Sequence, residues 1–246
     1  MTALVRAELL KLRTTRTIYG YLLLLVALSA LRAVAQATTA HIFDLEDPSY
    51  QRDLLSQSVA APLTALLLGI LSVTVEWRHG TITRTLLVSP RRFRVLAAKE
   101  ANAFLLGIVL AVIGLAVTIS VAAPILSRDG SPFVVDGPFL VRIGDIVLAS
   151  ALWGALGVGV GALIQHQAGA LVGTILWIVV VESLADPLLQ WIGVPGLADV
   201  LPRHALDALA GHEDGLSPAA GGFVGLVYVV AFALLAFARV RRQDIT

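Results

Sequence analysis

The chain has 246 residues, of which 57% are hydrophobic and 14% charged, whereas charged residues make up about 25% of an ordinary soluble domain. A mean hydropathy of +0.85 excludes a soluble globular domain, a disordered chain and a collagen-like fibre, and the lack of cysteine excludes disulfides and thiolate metal sites. The formal net charge of +1 gives no overall field for a nucleic acid, so no nucleic-acid partner is predicted.

Long apolar stretches predict an all-α integral membrane protein, with one transmembrane domain over residues 1–246. A helix needs about 20 mostly apolar residues to cross the hydrocarbon layer, and six such stretches are present. The predicted spans are residues 17–37, 58–75, 101–123, 143–164, 168–185 and 218–238. Most of the 18 basic residues lie before the first span, between the second and third, and after the sixth. Both termini are therefore predicted to be cytoplasmic.

Residues 1–16 have the pattern of an amphipathic helix, with Val5, Leu9 and Leu12 at helical spacing among charged residues. Such a helix would lie in the headgroup layer against membrane lipid, with its Lys and Arg near anionic groups. The alternative is a basic segment that only sets topology. A cleavable signal peptide is a further interpretation of this start, and Arg32 within its apolar stretch argues against it.

The connection between the second and third spans, residues 76–99, is too long for a simple tether. Gly80 predicts the end of the preceding helix, and Ile82 and Leu86 form an apolar i, i+4 pair on a first short helix. A Ser-Pro pair ending at Pro90 predicts a second helix that runs into the third span. The apolar pair, bounded by charge, predicts a ridge that docks into a partner's groove; the alternative is a basic loop that only enforces topology.

This connection resembles the segment after the second span in permeases of type 2 ABC transporters, and six spans with cytoplasmic termini match that family as architecture. The resemblance rests on Glu76, Arg78, Gly80-Thr81, Leu86-Leu87, Pro90-Arg91 and Lys99. It implies a cytoplasmic coupling helix that inserts into a cleft of a separate ATP-hydrolysing subunit. The coupling residues that follow from it are Glu76, Arg78, Gly80, Thr81, Ile82, Leu86, Pro90, Arg91 and Lys99.

Glycines at small-xxx-small spacing in the last three spans predict close helix contacts. They are Gly154, Gly157, Gly159, Gly161, Gly169, Gly173, Gly221 and Gly225.

Residues 186–217, after the fifth span, are too apolar for a solvated connector. Pro187 and Pro202 predict helix starts and Gly211 a helix end, so we expect two short outer helices that dip back toward the bilayer. They would lie at the outer end of a substrate path, as in similar permeases, or simply cap the bundle.

Two of the charged residues inside spans stand out, because ionised groups are costly there. Arg32 in the first span and Glu182 in the fifth would both lie in the outer leaflet. They are predicted to form an intramembrane ion pair; the alternative is that each reaches the outer interface separately. In the outer segment, the i, i+3 spacing of His204 and Asp207 predicts an interfacial pair.

The resemblance implies the membrane-spanning permease subunit of an ATP-driven exporter, in a cell membrane and by expectation a prokaryotic plasma membrane. Its partners would be cytoplasmic ABC-type ATPase subunits and a second permease copy, in a homodimer or heterodimer. The sequence has no P-loop, because its lysines follow Leu10 and Ala98 instead of glycine. ATP and Mg²⁺ would therefore be bound by the partner, and this chain is predicted to bind no cofactor and to be no enzyme.

The second and fifth spans face the transport path in similar permeases, and here both are apolar. They favour a lipid-like, amphipathic or drug- or peptide-like cargo. Two alternatives remain: a secondary transporter or channel, and a membrane scaffold or sensor subunit that transports nothing. A transporter driven by an ion gradient needs polar groups or broken helices near the bilayer midplane, and the spans contain few.

Overall fold

The computed structural model describes residues 17–39, 48–81, 92–128, 134–211 and 215–242, and the regular structure in these ranges is helical. The α-helices are α1 Thr17–Thr39, α2 Pro48–Ser58, α3 Ala61–Arg78, α4 Arg92–Arg128, α5 Gly137–Ile164, α6 Gln167–Leu176, α7 Glu182–Trp191, α8 Pro202–Leu209 and α9 Pro218–Arg242. A π-helical turn, Trp177–Val181, joins α6 to α7, and a 3-10 turn, Pro195–Leu197, follows α7. The predicted interfacial helix in residues 1–16 lies outside the described ranges.

Six helical stretches of the described chain are long and apolar enough to cross a membrane. They are Ile18–Thr39, Ser49–Arg78, Phe93–Arg128, Gly137–Ile164, Gln167–Trp191 and Pro218–Arg241. The predicted all-helical fold with six spans is therefore confirmed, and the chain is a multi-pass membrane protein.

The third span is longer than predicted, and an additional helix precedes the second span. The third span is a single 37-residue helix, α4, about 55 Å long, which is well beyond the thickness of the hydrocarbon layer. Its first turns begin at Arg92, so the predicted continuation of the connection into the third span is confirmed. The second span is preceded by α2, which the sequence analysis did not identify. A break at Ala60 separates α2 from α3, and the buried Ser29 hydroxyl accepts a hydrogen bond from the Ala60 amide over 3.1 Å.

Helix α5 is the centre of the bundle and packs against α3, α4 and α9. Backbone approaches backbone where α5 meets α3, because a Cβ atom at Gly69 would overlap the Gly154 carbonyl and one at Gly157 would overlap the Leu66 carbonyl. Small residues allow membrane helices to approach this closely. The predicted close contact of the fourth span is therefore confirmed.

The glycines of the last two spans divide into packed and unpacked ones. Gly221 and Gly225 of α9 meet α8, where an added Cβ would collide with the Ala205 carbonyl and with the Leu206 side chain respectively. In α6, by contrast, a Cβ at Gly173 would have no described neighbour within 4 Å. The prediction for the sixth span is confirmed, and that for the fifth is wrong within the described structure, because α6 lies on the periphery.

Contacts between helix ends define two ends of the bundle. Arg78, at the end of α3, donates from Nη1 to Oε1 of Gln167, at the start of α6, over 3.1 Å. The rings of Phe93, early in α4, and Phe237, late in α9, meet edge to face with centroids 5.6 Å apart. We call this the basic end, because arginines accompany these helix ends. The opposite end is called the capped end, because α2 and α8 cover it.

Candidate functional site

A buried ion pair lies at the base of the connection between α3 and α4. The ammonium Nζ of Lys99 lies 2.9 Å from Oε1 of Glu76, and the two side chains are only 2% and 9% exposed. The same Nζ donates a hydrogen bond to the Ser72 carbonyl over 2.9 Å. Both charged residues belong to the coupling set that the resemblance implies, and the structure brings them together. We call Ser72, Glu76, Arg78, Gly80 and Lys99 the connection base.

The end of α3 is shaped by Gly80, whose φ of +65° lies in the left-handed region that glycine adopts without steric cost. The Gly80 amide donates to the Trp77 carbonyl over 3.2 Å, and the Thr81 amide donates to the Glu76 carbonyl over 3.0 Å. This pair of bonds is a Schellman motif, which satisfies carbonyls that the helix end leaves free. The predicted helix stop at Gly80 is therefore confirmed.

The connection base joins three spans. The Glu76–Lys99 pair fastens α3 to α4, and the Arg78–Gln167 hydrogen bond fastens the end of α3 to the start of α6. Four of the implied coupling residues lie outside the described ranges, so the predicted docking ridge stays a prediction. They are Ile82, Leu86, Pro90 and Arg91.

Burial makes the ion pair of the connection base sensitive to the loss of either partner. Removing one member of such a pair leaves an uncompensated charge in a low-dielectric site and costs about 3–5 kcal/mol. Glu76 and Lys99 therefore join the two helices that flank the connection.

A groove of about 760 Å³ opens at the capped end between α1, α3, the π-helical turn and α8. This volume lies within the range of about 300–1,000 Å³ that ligand pockets occupy. Apolar lining residues include Leu28, Leu63, Leu66, Trp153, Ile178 and Val179. Polar lining residues include Arg32, Gln36, Gln57, Ser183, Arg203 and Asp207. We call this the capped-end groove, and its lining is amphipathic.

Hydrogen bonds order most polar groups of this groove. Gln36 Nε2 donates to Gln57 Oε1 over 2.7 Å, linking α1 to α2. Arg203 lies 3.3 Å from Asp207 one turn later in α8 and donates to the Ser183 hydroxyl over 3.1 Å. Arg32 is exposed and forms no ion pair with a described residue. Its guanidinium is therefore available to a molecule in the groove.

Glu182 is fully buried and binds α8 rather than Arg32. Its Oε2 accepts a hydrogen bond from the Arg203 amide over 2.9 Å and lies 3.5 Å from Nδ1 of His204. The residue before α8 is Leu201, which has no polar side chain to cap the helix, and the carboxylate takes that role from another span. The predicted Arg32–Glu182 ion pair is therefore not formed, and Glu182 is enclosed by protein groups.

The predicted pairing of His204 with Asp207 is wrong. His204 Nε2 lies 3.0 Å from Asp186 at the end of the fifth span, and Asp207 pairs with Arg203 instead. Residues four apart on a helix face each other, so the Arg203 and Asp207 side chains meet without leaving α8. The His204–Asp186 contact attaches α8 to α7.

The outer segment, residues 186–217, follows the prediction in its second half only. Pro202 lies in the first turn of α8, and Gly211, with a φ of +89°, follows its end, as predicted. Pro187 does not start a helix, because it lies inside α7, which continues the fifth span beyond the π-helical turn. Proline is tolerated within membrane helices when neighbouring groups satisfy the freed backbone carbonyl.

Arg142 was missed by the sequence analysis, although it holds the capped end together. Its guanidinium donates to the Ser56 hydroxyl over 3.2 Å and to the carbonyls of Ala210 and Gly211 at the end of α8, and it lies 3.8 Å from Asp53. A cation is favoured at a helix C-terminus, where carbonyls are unsatisfied. The available signal was an arginine immediately before a predicted span.

A scan against protein-family models finds no match for this chain, and a search of curated proteins finds none either. Among the described residues, no group of three His, Asp or Glu side chains is arranged to hold a metal ion. The connection base and the capped-end groove are two sites that several spans build together.

Proposed function

We propose that this chain is the membrane-spanning permease subunit of an ATP-driven ABC exporter. The observation that carries the proposal is the buried Glu76–Lys99 pair, which closes the base of the long connection between the second and third spans. A connection that only set topology would need arginines and lysines at its surface, but not a lysine buried against a carboxylate.

In this proposal the basic end faces the cytoplasm, because loops rich in Lys and Arg are retained on that side. A separate ATPase subunit, which binds ATP and Mg²⁺, docks on residues 82–91 and moves them during its cycle. The connection base passes that movement to α3 and α4 through the Glu76–Lys99 pair and to α6 through the Arg78–Gln167 hydrogen bond. Packed helices then shift as units and do not deform continuously.

The capped-end groove is the proposed cargo path within one subunit. Its walls belong to the first, second and fifth spans, and its apolar surface with Arg32 and Arg203 suits a lipid-like or amphipathic molecule. A second permease copy would complete the path, because the first, fifth and sixth spans are each less than one fifth buried and present apolar side chains outward.

The substitution Leu86→Asp tests the proposed docking ridge. We expect it to abolish copurification with an ATPase subunit and stimulation of ATP hydrolysis, because a charge would enter an apolar contact, while membrane insertion persists. The matched control is Thr83→Asp, which adds the same charge to the same connection outside the apolar pair. Fully coupled hydrolysis by the Leu86→Asp protein would remove the ridge from its proposed role.

Vesicle transport with and without ATP separates this proposal from its alternatives. Transport that requires ATP and a copurified ATPase supports the permease function. Transport driven by an ion gradient alone would identify a secondary transporter or channel, and binding without transport would identify a scaffold or sensor subunit.

A further inference from the structure

A second cavity lies near the basic end, between α4 and α9, and is separate from the capped-end groove. Its volume of about 420 Å³ is within the range of about 300–1,000 Å³ that small-molecule pockets occupy. Several of its lining residues are exposed toward the surrounding lipid, so a molecule can enter it from the bilayer. The aromatic and charged lining residues are Phe93, Glu100, Phe104 and Phe237.

Glu100 is the charged residue of this cavity among the described residues that line it. Both of its carboxylate oxygens are buried, and neither has a hydrogen-bond partner in the described part of the chain. The adjacent ammonium of Lys99 does not serve Glu100, because it binds the Glu76 carboxylate and the Ser72 carbonyl. A buried carboxylate is costly unless it takes up a proton or a cation or hydrogen-bond donor compensates it, so a cation in this cavity would stabilise Glu100 in its charged form.

Aromatic rings surround the same cavity. Phe93 and Phe237 meet edge to face at 5.6 Å with an interplanar angle of 81°, and Phe104 lines the wall one helical turn beyond Glu100. The face of an aromatic ring attracts a cation, and ammonium groups are bound in proteins by such rings together with carboxylates. Phenylalanine rings and one unpartnered carboxylate in the same lining therefore favour a ligand that is both cationic and apolar.

We propose that this cavity is a binding site for an alkyl-bearing ammonium compound. The ammonium head lies against Glu100 and the neighbouring ring of Phe104, and the alkyl chain runs along Val230 and Leu234 of α9 toward the lipid. Glu100 is eight residues beyond the described start of α4, or about 12 Å along the helix axis, which places it near one edge of the hydrocarbon layer. This site does not depend on the proposed transport function, because it involves neither residues 82–91 nor the capped-end groove.

Titration calorimetry of the full chain in dodecyl maltoside micelles tests the site, with decyltrimethylammonium as the probe and empty micelles as the blank. We expect saturable binding at one site per chain. Sodium decyl sulfate, which has the same chain and an anionic head, should not bind saturably. Binding of decyl sulfate as tight as that of the cation would overturn the proposal, because the cavity would then select only for the alkyl chain.

The substitution Glu100→Gln keeps the shape of the side chain and removes its charge. It should weaken decyltrimethylammonium binding by at least about tenfold, as expected for the loss of an interaction with a charged group. Asp145→Asn is the matched control, since it removes a carboxylate from α5 outside this cavity and should leave binding unchanged. Unchanged binding in the Glu100→Gln protein would overturn the proposal.

Phe104→Leu gives a second test of the site, because it keeps an apolar wall and removes the aromatic face beside Glu100. We expect cation binding to weaken about threefold, and no weakening would contradict the role of the ring.

A parallel titration with diheptanoylphosphatidylcholine identifies the source of the ammonium group. Binding of this lipid with the same dependence on Glu100 indicates a lipid headgroup, whereas binding of decyltrimethylammonium alone indicates a free lipophilic amine.

Discussion

The two ends of the bundle are held together in different ways. At the basic end, the Glu76–Lys99 pair joins helices that are consecutive in the chain, and residues 82–91 extend from between them. At the capped end, hydrogen bonds tie together segments far apart in the chain: the Ser56 hydroxyl donates to the Ala210 carbonyl, 154 residues away. The first arrangement holds the base of one connection, while the second locks several elements against one another.

The difference lies in the number of elements that each set of contacts joins. A single buried ion pair joins two helices at the base of the connection between them. Arg142, Glu182 and Arg203, in contrast, each bind groups from another helix, so that α8 cannot move without breaking several bonds. We expect the capped end to resist displacement and the basic end to transmit it.

The largest expected effect is that of Lys99→Met, which leaves Glu76 buried without its cation. The free energy of unfolding in detergent should fall by about 3–5 kcal/mol. Replacing both partners, in Glu76→Leu with Lys99→Met, should restore most of that loss, because no uncompensated charge remains. Arg94→Met, an exposed change on the same helix, serves as the control. A double variant as unstable as Lys99→Met would contradict the pairing.

An intermediate effect is expected at the capped end. Arg142→Met removes donors from the Ser56 hydroxyl and from the carbonyls that end α8, and it should lower the free energy of unfolding by about 2 kcal/mol. Arg52→Met is the control, because its ion pair with Asp136 at 3.5 Å is partly exposed and is worth less than about 1 kcal/mol. Equal losses in the two variants would show that Arg142 does not hold α8.

The smallest effect on stability is expected for Arg32→Gln. Arg32 faces the capped-end groove and forms no ion pair with a described residue, so the free energy of unfolding should change by no more than about 0.5 kcal/mol. If the groove carries cargo, the same variant should still alter the rate of vesicle transport. A loss of stability as large as that of Arg142→Met would mean that Arg32 has a structural partner after all.

Local chemistry accounts for the predictions that the structure confirms. Gly80 and Gly211 end helices because each supplies a left-handed backbone, and Pro202 begins one because it needs no amide donor there. These effects extend over a few residues, which is why a sequence pattern is sufficient to predict them. The break at Ala60 was missed although Pro62, in the first turn of α3, is a local signal for a helix start. The Ser29 hydroxyl that binds the Ala60 amide lies in another helix and could not be predicted.

The partners of charged side chains were harder to predict. Both Glu76 and Lys99 were singled out, but nothing in their spacing indicated that they bind each other across 23 residues. The Arg32–Glu182 pairing rested on similar depth and opposite charge, and neither property reveals that α8 lacks its own N-terminal cap. A buried carboxylate binds the nearest unsatisfied donor, and the fold determines which donor that is.

The sequence by itself determined an all-helical chain with six spans, because a hydrocarbon layer accepts only long apolar stretches whose backbone groups bond internally. The length and hydropathy of a stretch depend only on its consecutive residues, so the sequence is sufficient to identify the spans. Only the tertiary structure decided that Lys99 is buried against Glu76, that Glu182 caps α8, and that Glu100 lies unpartnered among aromatic rings in the described fold. Each of these depends on the relative positions of helices, which are set by the packing of small residues such as Gly69 and Gly157.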